Sequence, residues 1–405
     1  MRPQTFASLR ERNYALLFAG QVVSLTGTWM ERIALNQLVY ELTGKDARWL
    51  GFVAAIPMVP SLLLALPAGA LCDRVPPRRV VLVTQTLMMF GAAAMAWIVL
   101  AGAVRPWHIA AYAAYSSAVF AVDAVARQTL LVQLVPMESL GNAVALNASM
   151  FTSSRFLGGL AFAAIVTASG ASAKGLCLVA NTASFVFVIG GILAMRLGPT
   201  PVHADGHDSG LLAGVRYARR TPVVLGALAA LVVMSMFGFQ FSHLIPIYAD
   251  QVYRLGDDAV GHLQSAVGLG SFVGSLTLAT IIGRFRPGAL MFLYATAAPF
   301  VLAALALDIP FGGAMAAGAV AGFLLNQAQS ACAAILQRTA PHSLRARVMS
   351  LYTTSVLTAF PIGGLVGGFV AHAIGVKATI LLDAEIILLA VVLIRLGAPS
   401  LRRAG

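Results

Sequence analysis

Apolar residues run through this chain in long blocks separated by short polar stretches. Trp49 to Leu71 and Val80 to Ala101 hold no Asp, Glu, Lys or Arg at all. A helix of about 20 residues, rising 1.5 Å per residue, crosses the ~30 Å hydrocarbon core of a bilayer. The pattern predicts twelve such spans. Six fill a first half: Tyr14 to Tyr40, Trp49 to Leu71, Val80 to Ala101, Trp107 to Ala126, Ala143 to Ala168 and Lys174 to Arg196. Six fill a second: Pro222 to Ile247, Ala259 to Gly283, Gly288 to Leu307, Pro310 to Leu336, Val348 to Ala371 and Thr379 to Arg395. The runs are continuous and do not alternate, which predicts helices and not membrane strands.

Two polar stretches interrupt the series. Arg127 to Asn142, RQTLLVQLVPMESLGN, is amphipathic and is expected to lie along the membrane surface. Leu197 to Thr221 carries Pro199, Pro201, His203, Asp205, His207 and a basic run, and is too polar to cross. It is expected to be a cytoplasmic linker, leaving residues 1–196 and 222–405 as two six-helix bundles of an all-α membrane protein. An internal echo agrees: LVQLVPMESLGNAVAL before span 5 resembles ILQRTAPHSLRARVMSL before span 11, and MRLG ends the first half as IRLG ends the second. Matching halves of this kind are parallel repeats.

Composition narrows the class. Of 405 residues 59% are hydrophobic and the mean hydropathy is +0.85, which leaves far too little polar surface for a soluble globule. The net charge of +12 would suggest nucleic acid, but position decides its meaning. About nineteen of the 27 Lys and Arg fall on one side of the predicted spans and about six on the other. The excess is therefore a topology signal: both termini are expected in the cytoplasm of a cell (inner) membrane protein, with no nucleic acid partner. Juxtamembrane basic residues also favour anionic headgroups. Cys72, Cys177 and Cys332 form no spaced motif, so no disulfide framework follows. The basic start MRPQTFASLRERN lacks a cleavable apolar core, so span 1 is expected to persist as an anchor. No His-Glu metal set, nucleophile elbow or phosphate loop is present, which argues against an enzyme and implies neither cofactor nor metal. His203 and His207 are read as solvated loop residues.

One polar stretch stands out. Gly69 to Leu82, GALCDRVPPRRVVL, packs Asp73, Arg74, Arg78 and Arg79 into seven residues of a chain that is 10% charged. Such a cluster cannot lie in lipid, and its arginines place it on the cytoplasmic side. It is either a basic turn that obeys the charge rule or a functional loop. Gly69, Leu71, Asp73, Arg74 and the pair Arg78 and Arg79 resemble the loop signature of the major facilitator superfamily, with Pro76 where the family usually has Gly and Pro77 where it often has Arg. LFAGQVVSLTGTWMERIALNQLVYELTG, Leu17 to Gly44, is similar to the drug and siderophore exporter branch, which includes enterobactin and macrolide exporters.

That resemblance covers essentially the whole chain. It implies a monomeric secondary transporter working by alternating access, exporting a small amphiphilic molecule in exchange for protons. The alternative is an importer or facilitator of a metabolite on the same fold. It implies a cytoplasmic gate at the loop, to which Gly69, Asp73, Arg74, Arg78 and Arg79 belong. Asp123 lies one turn before Arg127, an i, i+4 spacing that lets them meet, and both are expected to join a charge network with Asp73 and Arg74. The antiporter signature in span 5 is kept only in part, since RFLGGLAFA has its Gly and no Pro.

Ionisable residues inside spans are the first candidates for transport. Glu31 lies about sixteen residues into span 1, roughly 24 Å from its inner end. It is a candidate for taking and releasing protons, or else a permanent partner of Arg32 or of Arg155, which lies at comparable depth in span 5. Asp383 and Glu385 in span 12 fall on different faces, and local hydrogen bonding or a partner in span 11 is expected for them. The spans that line the cavity in the superfamily carry Arg32, Asn36 and Gln37, Tyr112, Tyr115 and Ser116, Phe237, Gln240 and His243, and Asn326, Gln327 and Ser330. Together they suit a mixed cavity for amphiphiles; individually each also suits an interhelical hydrogen bond.

Overall fold

The computed structural model describes residues 7–196, 211–281 and 285–403. The described residues are helical throughout, without strands. In chain order the helices are α1 (Arg12–Leu42), α2 (Ala47–Ala55), α3 (Met58–Arg74), α4 (Pro77–Leu100), α5 (Pro106–Leu134), α6 (Met137–Ser169), α7 (Ala173–Ala194), α8 (Leu211–Arg220), α9 (Pro222–Val233), α10 (Phe241–Tyr248), α11 (Asp257–Ile281), α12 (Pro287–Ala304), α13 (Phe311–Thr339), α14 (His342–Ile374) and α15 (Val376–Gly397). Counting α2 with α3, and α9 with α10, and leaving out α8, which precedes span 7, these make the twelve predicted rods. Nine stretches among the described residues are long and apolar enough to cross a membrane. The other three rods, α1, α11 and α15, carry buried polar side chains such as Glu31, Gln264 and Asp383. Large apolar side chains such as Phe90, Trp97, Phe300 and Leu396 are exposed along the rods, where lipid is the natural solvent.

The expected surface segment at Arg127 to Asn142 is a correction. Helix α5 runs on to Leu134 and α6 begins at Met137, so only Val135 and Pro136 interrupt them. Pro136 lacks the amide that would continue α5 and caps α6 instead, at φ −59° and ψ 151°. Pro341, its counterpart in the internal echo, caps α14 at φ −54° and ψ 150°. Of the expected linker, residues 197–210 lie outside the described ones, and Leu211–Arg220 is helix α8.

The chain separates into two compact units. The first comprises residues 1–44 and 56–206. With little hydrophobic drive between helices in lipid, close approach through small residues holds it together. A Cβ on Gly20 would meet the Val188 backbone of α7 at 2.7 Å, and one on Gly191 the Leu16 carbonyl of α1 at 2.9 Å. A Cβ on Gly158 of α6 would meet Trp29 Cβ at 2.6 Å. Tyr14 donates from α1 to the Ala143 carbonyl (3.0 Å), and Asn13 exchanges two hydrogen bonds with Arg196 (2.9 and 3.1 Å).

The second unit comprises residues 45–55 and 207–405. It takes in α2, the first part of predicted span 2, which ends at a turn through Ile56 and Pro57. Glycines explain the attachment of α2 to α14: Cβ atoms on Gly51 and Gly368 would fall within 3 Å of the facing backbone. Asp46 leads into α2 and is gripped by Arg48 (2.7–3.1 Å), with His372 Nδ1 at 3.3 Å. The Arg48 hydrogen bonds hold the Asp46 carboxyl below the usual carboxylate range. This contact therefore contributes at neutral pH and is lost only as the pH falls below that range.

Helices α11 and α13 approach most tightly. A Cβ on Gly270 would stand 1.7 Å from the Ala319 carbonyl oxygen, and one on Gly322 would stand 2.2 Å from that of Val267. Gly270→Ala must push the two backbones apart, an overpacking that costs about 1–3 kcal/mol or more. A clearly lowered melting temperature in detergent is expected. Gly69→Ala is the control, since nothing lies within 4 Å of its Cβ position. It should melt no lower than the parent, and a loss of transport at intact stability would assign Gly69 to movement instead of packing.

Candidate functional site

Glu31 sits in the middle of α1 and is buried. Its Oε1 accepts a hydrogen bond from the Tyr112 hydroxyl of α5 at 2.5 Å, and its Oε2 accepts one from Asn181 Nδ2 of α7. Asn181 is itself oriented, because Ser184 donates to its side-chain oxygen (3.1 Å) and to its carbonyl (2.7 Å). Gly27, one turn before Glu31, lets Asn181 come so close: a Cβ there would meet Asn181 Oδ1 at 2.5 Å.

The carboxylate thus accepts from two neutral donors. Arg155 stands over the Trp29 ring, 5.5 Å from its centroid, and Arg32 stands over the same ring at 5.4 Å. Phe151 meets Trp29 edge-on at 5.6 Å. Arg32 is exposed although Glu31 and Ile33 beside it are buried.

The hydrogen bonds of Glu31 are chemically unequal. An amide NH2 only donates, whereas a phenol hydroxyl can donate or accept. A protonated Glu31 would need an acceptor: at Oε1 the Tyr112 hydroxyl could turn to become one, whereas the Asn181 NH2 at Oε2 could not.

Nearer the start of α1, Asp123 and Arg127 meet as their spacing predicts, Nε to Oδ2 at 2.6 Å. Asp123 is fully buried, and its Oδ1 accepts from Thr84 (2.7 Å) and Gln85 (2.9 Å) of α4. Arg127 also donates to Gln21 of α1 and lies 5.4 Å from the Phe120 centroid. Beside it a cleft of about 170 Å³ is lined by Tyr14, Gln21, Arg127 and Asn147 among others. Arg78 donates to the carbonyls of Ile192 and Leu193 (both 3.1 Å) at the end of α7, where exposed carbonyls favour a cation. Arg74 and Arg79 are exposed, and the side chain of Asp73 lies outside the described residues.

Several other candidates make hydrogen bonds within their own unit. Gln37 Nε2 reaches Glu41 at 3.5 Å, Tyr115 donates to the Leu87 carbonyl (2.8 Å) and Ser116 to that of Ala113 (3.3 Å). Asn36 and Ser330 are half-buried. In the second unit, Asn326 donates to the Ser271 carbonyl (3.1 Å) and Gln327 to Thr277 (2.9 Å), both tying α13 to α11. Phe237 lies in a π-helical segment between α9 and α10, and the His243 ring packs 4.5 Å from that of Phe360.

Gln240, just before α10, donates to both oxygens of buried Asp383 in α15 (2.9 and 3.2 Å). This corrects the expected partner from span 11 to span 7. Glu385 is exposed. Each unit therefore holds a buried carboxylate bonded to an amide across its first and sixth rods, with the acid on the first rod in one unit and on the sixth in the other. Asp383→Ala would strand the Gln240 amide at a cost of about 1–3 kcal/mol. It should melt lower than Asp383→Asn, which keeps one acceptor.

A family model described as "Transmembrane secretion effector" matches residues 3–402. The chain is 25% identical over 398 residues to the multidrug efflux pump Tap of Mycolicibacterium fortuitum, covering 96% of this chain and 95% of Tap. It is 26% identical over 191 residues to the enterobactin exporter EntS of Escherichia coli O1:K1, covering 47% of this chain and 45% of EntS. Among solved structures, the nucleoside transporter NupG matches with a TM-score of 0.74 at 15% identity, over 95% of this chain and 98% of that one. A bacterial homologue of the lysosomal transporter Spinster, inward-facing and unoccupied, matches with 0.73 at 12% identity, over 100% and 98%. At such identities these structures speak for the fold alone.

Proposed function

We propose, from the premise that this chain belongs to the transmembrane secretion effector family of the major facilitator superfamily, that it exports a small amphiphilic molecule in exchange for protons. The family is one of multi-pass membrane transporters and not of enzymes. Export is supported by Tap and EntS, whose names give efflux and export as their work. Proton exchange is supported by one observation above all: Glu31, buried in mid-helix, is bonded to a hydroxyl, a group able to donate to the carboxylate or to accept from the acid. In this reading Glu31 carries the proton and Tyr112 follows it. Asp123, Arg127 and the Gly69 to Arg79 loop work the cytoplasmic gate, with both termini on that side, in a monomer that alternates its access.

Everted membrane vesicles from cells expressing the chain test this. With an acid interior, they should accumulate ethidium or pyrenebutyrate several-fold over vesicles from cells without it, and nigericin, which collapses the pH gradient, should release the excess. Accumulation indifferent to nigericin would remove proton exchange. Uptake only in right-side-out vesicles would favour the importer.

A further inference from the structure

Helix α8, LLAGVRYARR, has no part in the mechanism above, and its packing uses one side. Gly214 is buried against α14, where a Cβ would meet Arg347 Cβ at 3.1 Å, and the Tyr217 hydroxyl donates to the Thr339 carbonyl at the end of α13 (3.1 Å). Ala218, one turn after Gly214, is buried as well. Val215, Arg216, Arg219 and Arg220 are all exposed, around an open hollow of about 370 Å³. Spacings of three and four residues put the three guanidinium groups on one helix face.

Charge and depth identify what that face meets. Helices α8, α9, α13 and α14 together contain six arginines and no Asp or Glu. Among the described residues no carboxylate pairs with Arg216, Arg219 or Arg220. Arg220 stands two residues before Pro222, where the apolar stretch Pro222–Tyr253 begins. Two residues reach at most about 7 Å, and the headgroup layer is ~5–8 Å thick on each side of the hydrocarbon. The arginines therefore lie at the level of lipid phosphates.

We propose that α8 is a docking site for the phosphodiester of an anionic phospholipid such as phosphatidylglycerol, held by Arg216, Arg219 and Arg220. A guanidinium presents its N–H groups as a fork to two phosphate oxygens. Each basic residue at an anionic surface adds about fivefold in affinity, so three together account for about a hundredfold. Val215, apolar and exposed beside them, meets the glycerol and the first acyl carbons. The start of α9 is then anchored by lipid as well as by packing. The site lies wholly within the second unit and does not rest on the exporter reading.

The test titrates the full-length protein in detergent micelles with dioleoylphosphatidylglycerol and dioleoylphosphatidylcholine, equal in chains and different in charge, and reads bound lipid by native mass spectrometry. The parent should hold phosphatidylglycerol about a hundredfold more tightly than phosphatidylcholine. Arg216→Gln, Arg219→Gln and Arg220→Gln should each weaken phosphatidylglycerol about fivefold, and the triple variant should no longer tell the two lipids apart. Replacing all three by Lys, which keeps the charge, should stay within about fivefold of the parent. Arg395→Gln, in the exposed last turn of α15, is the control and should change nothing. If the triple Gln variant fails to fold, the single variants and the triple Lys variant decide. Equal retention of both lipids by the parent, retention indifferent to the three arginines, or retention as sensitive to Arg395 as to them would overturn the proposal. So would displacement of the lipid by an equal concentration of glycerophosphoglycerol, its headgroup without chains, since the site would then serve a water-borne phosphate. Accumulation indifferent to nigericin would remove proton exchange and leave this site standing; a parent without lipid preference would do the reverse.

Discussion

Glu31→Gln is expected to abolish gradient-driven transport while leaving binding nearly intact. Each tenfold of accumulation needs about 1.4 kcal/mol, so two pH units across the membrane sustain at most about a hundredfold per proton exchanged. A glutamine cannot exchange a proton at any pH, so accumulation in the variant should fall by up to that factor, to the level set by leakage. It still offers Tyr112 a carbonyl oxygen, yet its NH2 then faces the Asn181 NH2. Relief requires Asn181 to turn over and give up the hydrogen bond it accepts from Ser184. That conflict costs on the order of 1 kcal/mol, too little to unfold the protein or to remove the substrate site. Exchange of pyrenebutyrate at equal pH on both sides should thus persist within a few-fold. If the variant instead accumulates substrate with the parent's pH dependence, the proton travels by another residue. Tyr112→Phe makes the companion measurement: the acid remains, the reversing partner is lost, and a shifted pH profile is expected instead of the flat one of the glutamine variant.

What the sequence carries, and what it leaves open, follows from the physics of the spans. Uninterrupted apolar length foretells each rod, because the bilayer asks for length and little else. It does not foretell how a rod is turned about its axis, and that rotation decides partners. Glu31 was conspicuous as an acid within a span, but whether it would face Arg155, Tyr112 or Asn181 depends on close approaches such as that at Gly27. Asn181 itself left a signal, as the only Asn in α7, which a search for polar partners of the acid would have found. The same holds for Asp383, whose partner Gln240 lies 143 residues away. Prolines are equally ambiguous in one dimension: Pro67, Pro246, Pro299 and Pro361 sit inside helices, whereas Pro57 stands at the break that separates α2 from α3. The i, i+4 pair Asp123 and Arg127 was legible because its geometry is local. Its other partners, Thr84, Gln85 and Gln21, come from two other helices.

That pair should give the largest stability effect of any single substitution in the first unit. Asp123→Ala leaves the Arg127 guanidinium, largely buried, facing an empty space, and strands the Thr84 and Gln85 donors as well. Removing one partner of a buried ion pair costs about 3–5 kcal/mol, a large part of the 5–15 kcal/mol that holds a typical protein together. Asp123→Asn keeps an acceptor for Thr84 and should lose less. The double variant Asp123→Leu with Arg127→Leu removes both charges and the cost of keeping them out of water, so its melting temperature should recover most of the single-variant loss. The recovered protein then separates structure from function. As a gate, Asp123 and Arg127 must part and re-form during each cycle, and a stable double variant would bind pyrenebutyrate yet move it slowly. As a mere brace between α4 and α5, the pair could be replaced by leucines without slowing transport, and a double variant with the parent's turnover would take the gate away from these two residues.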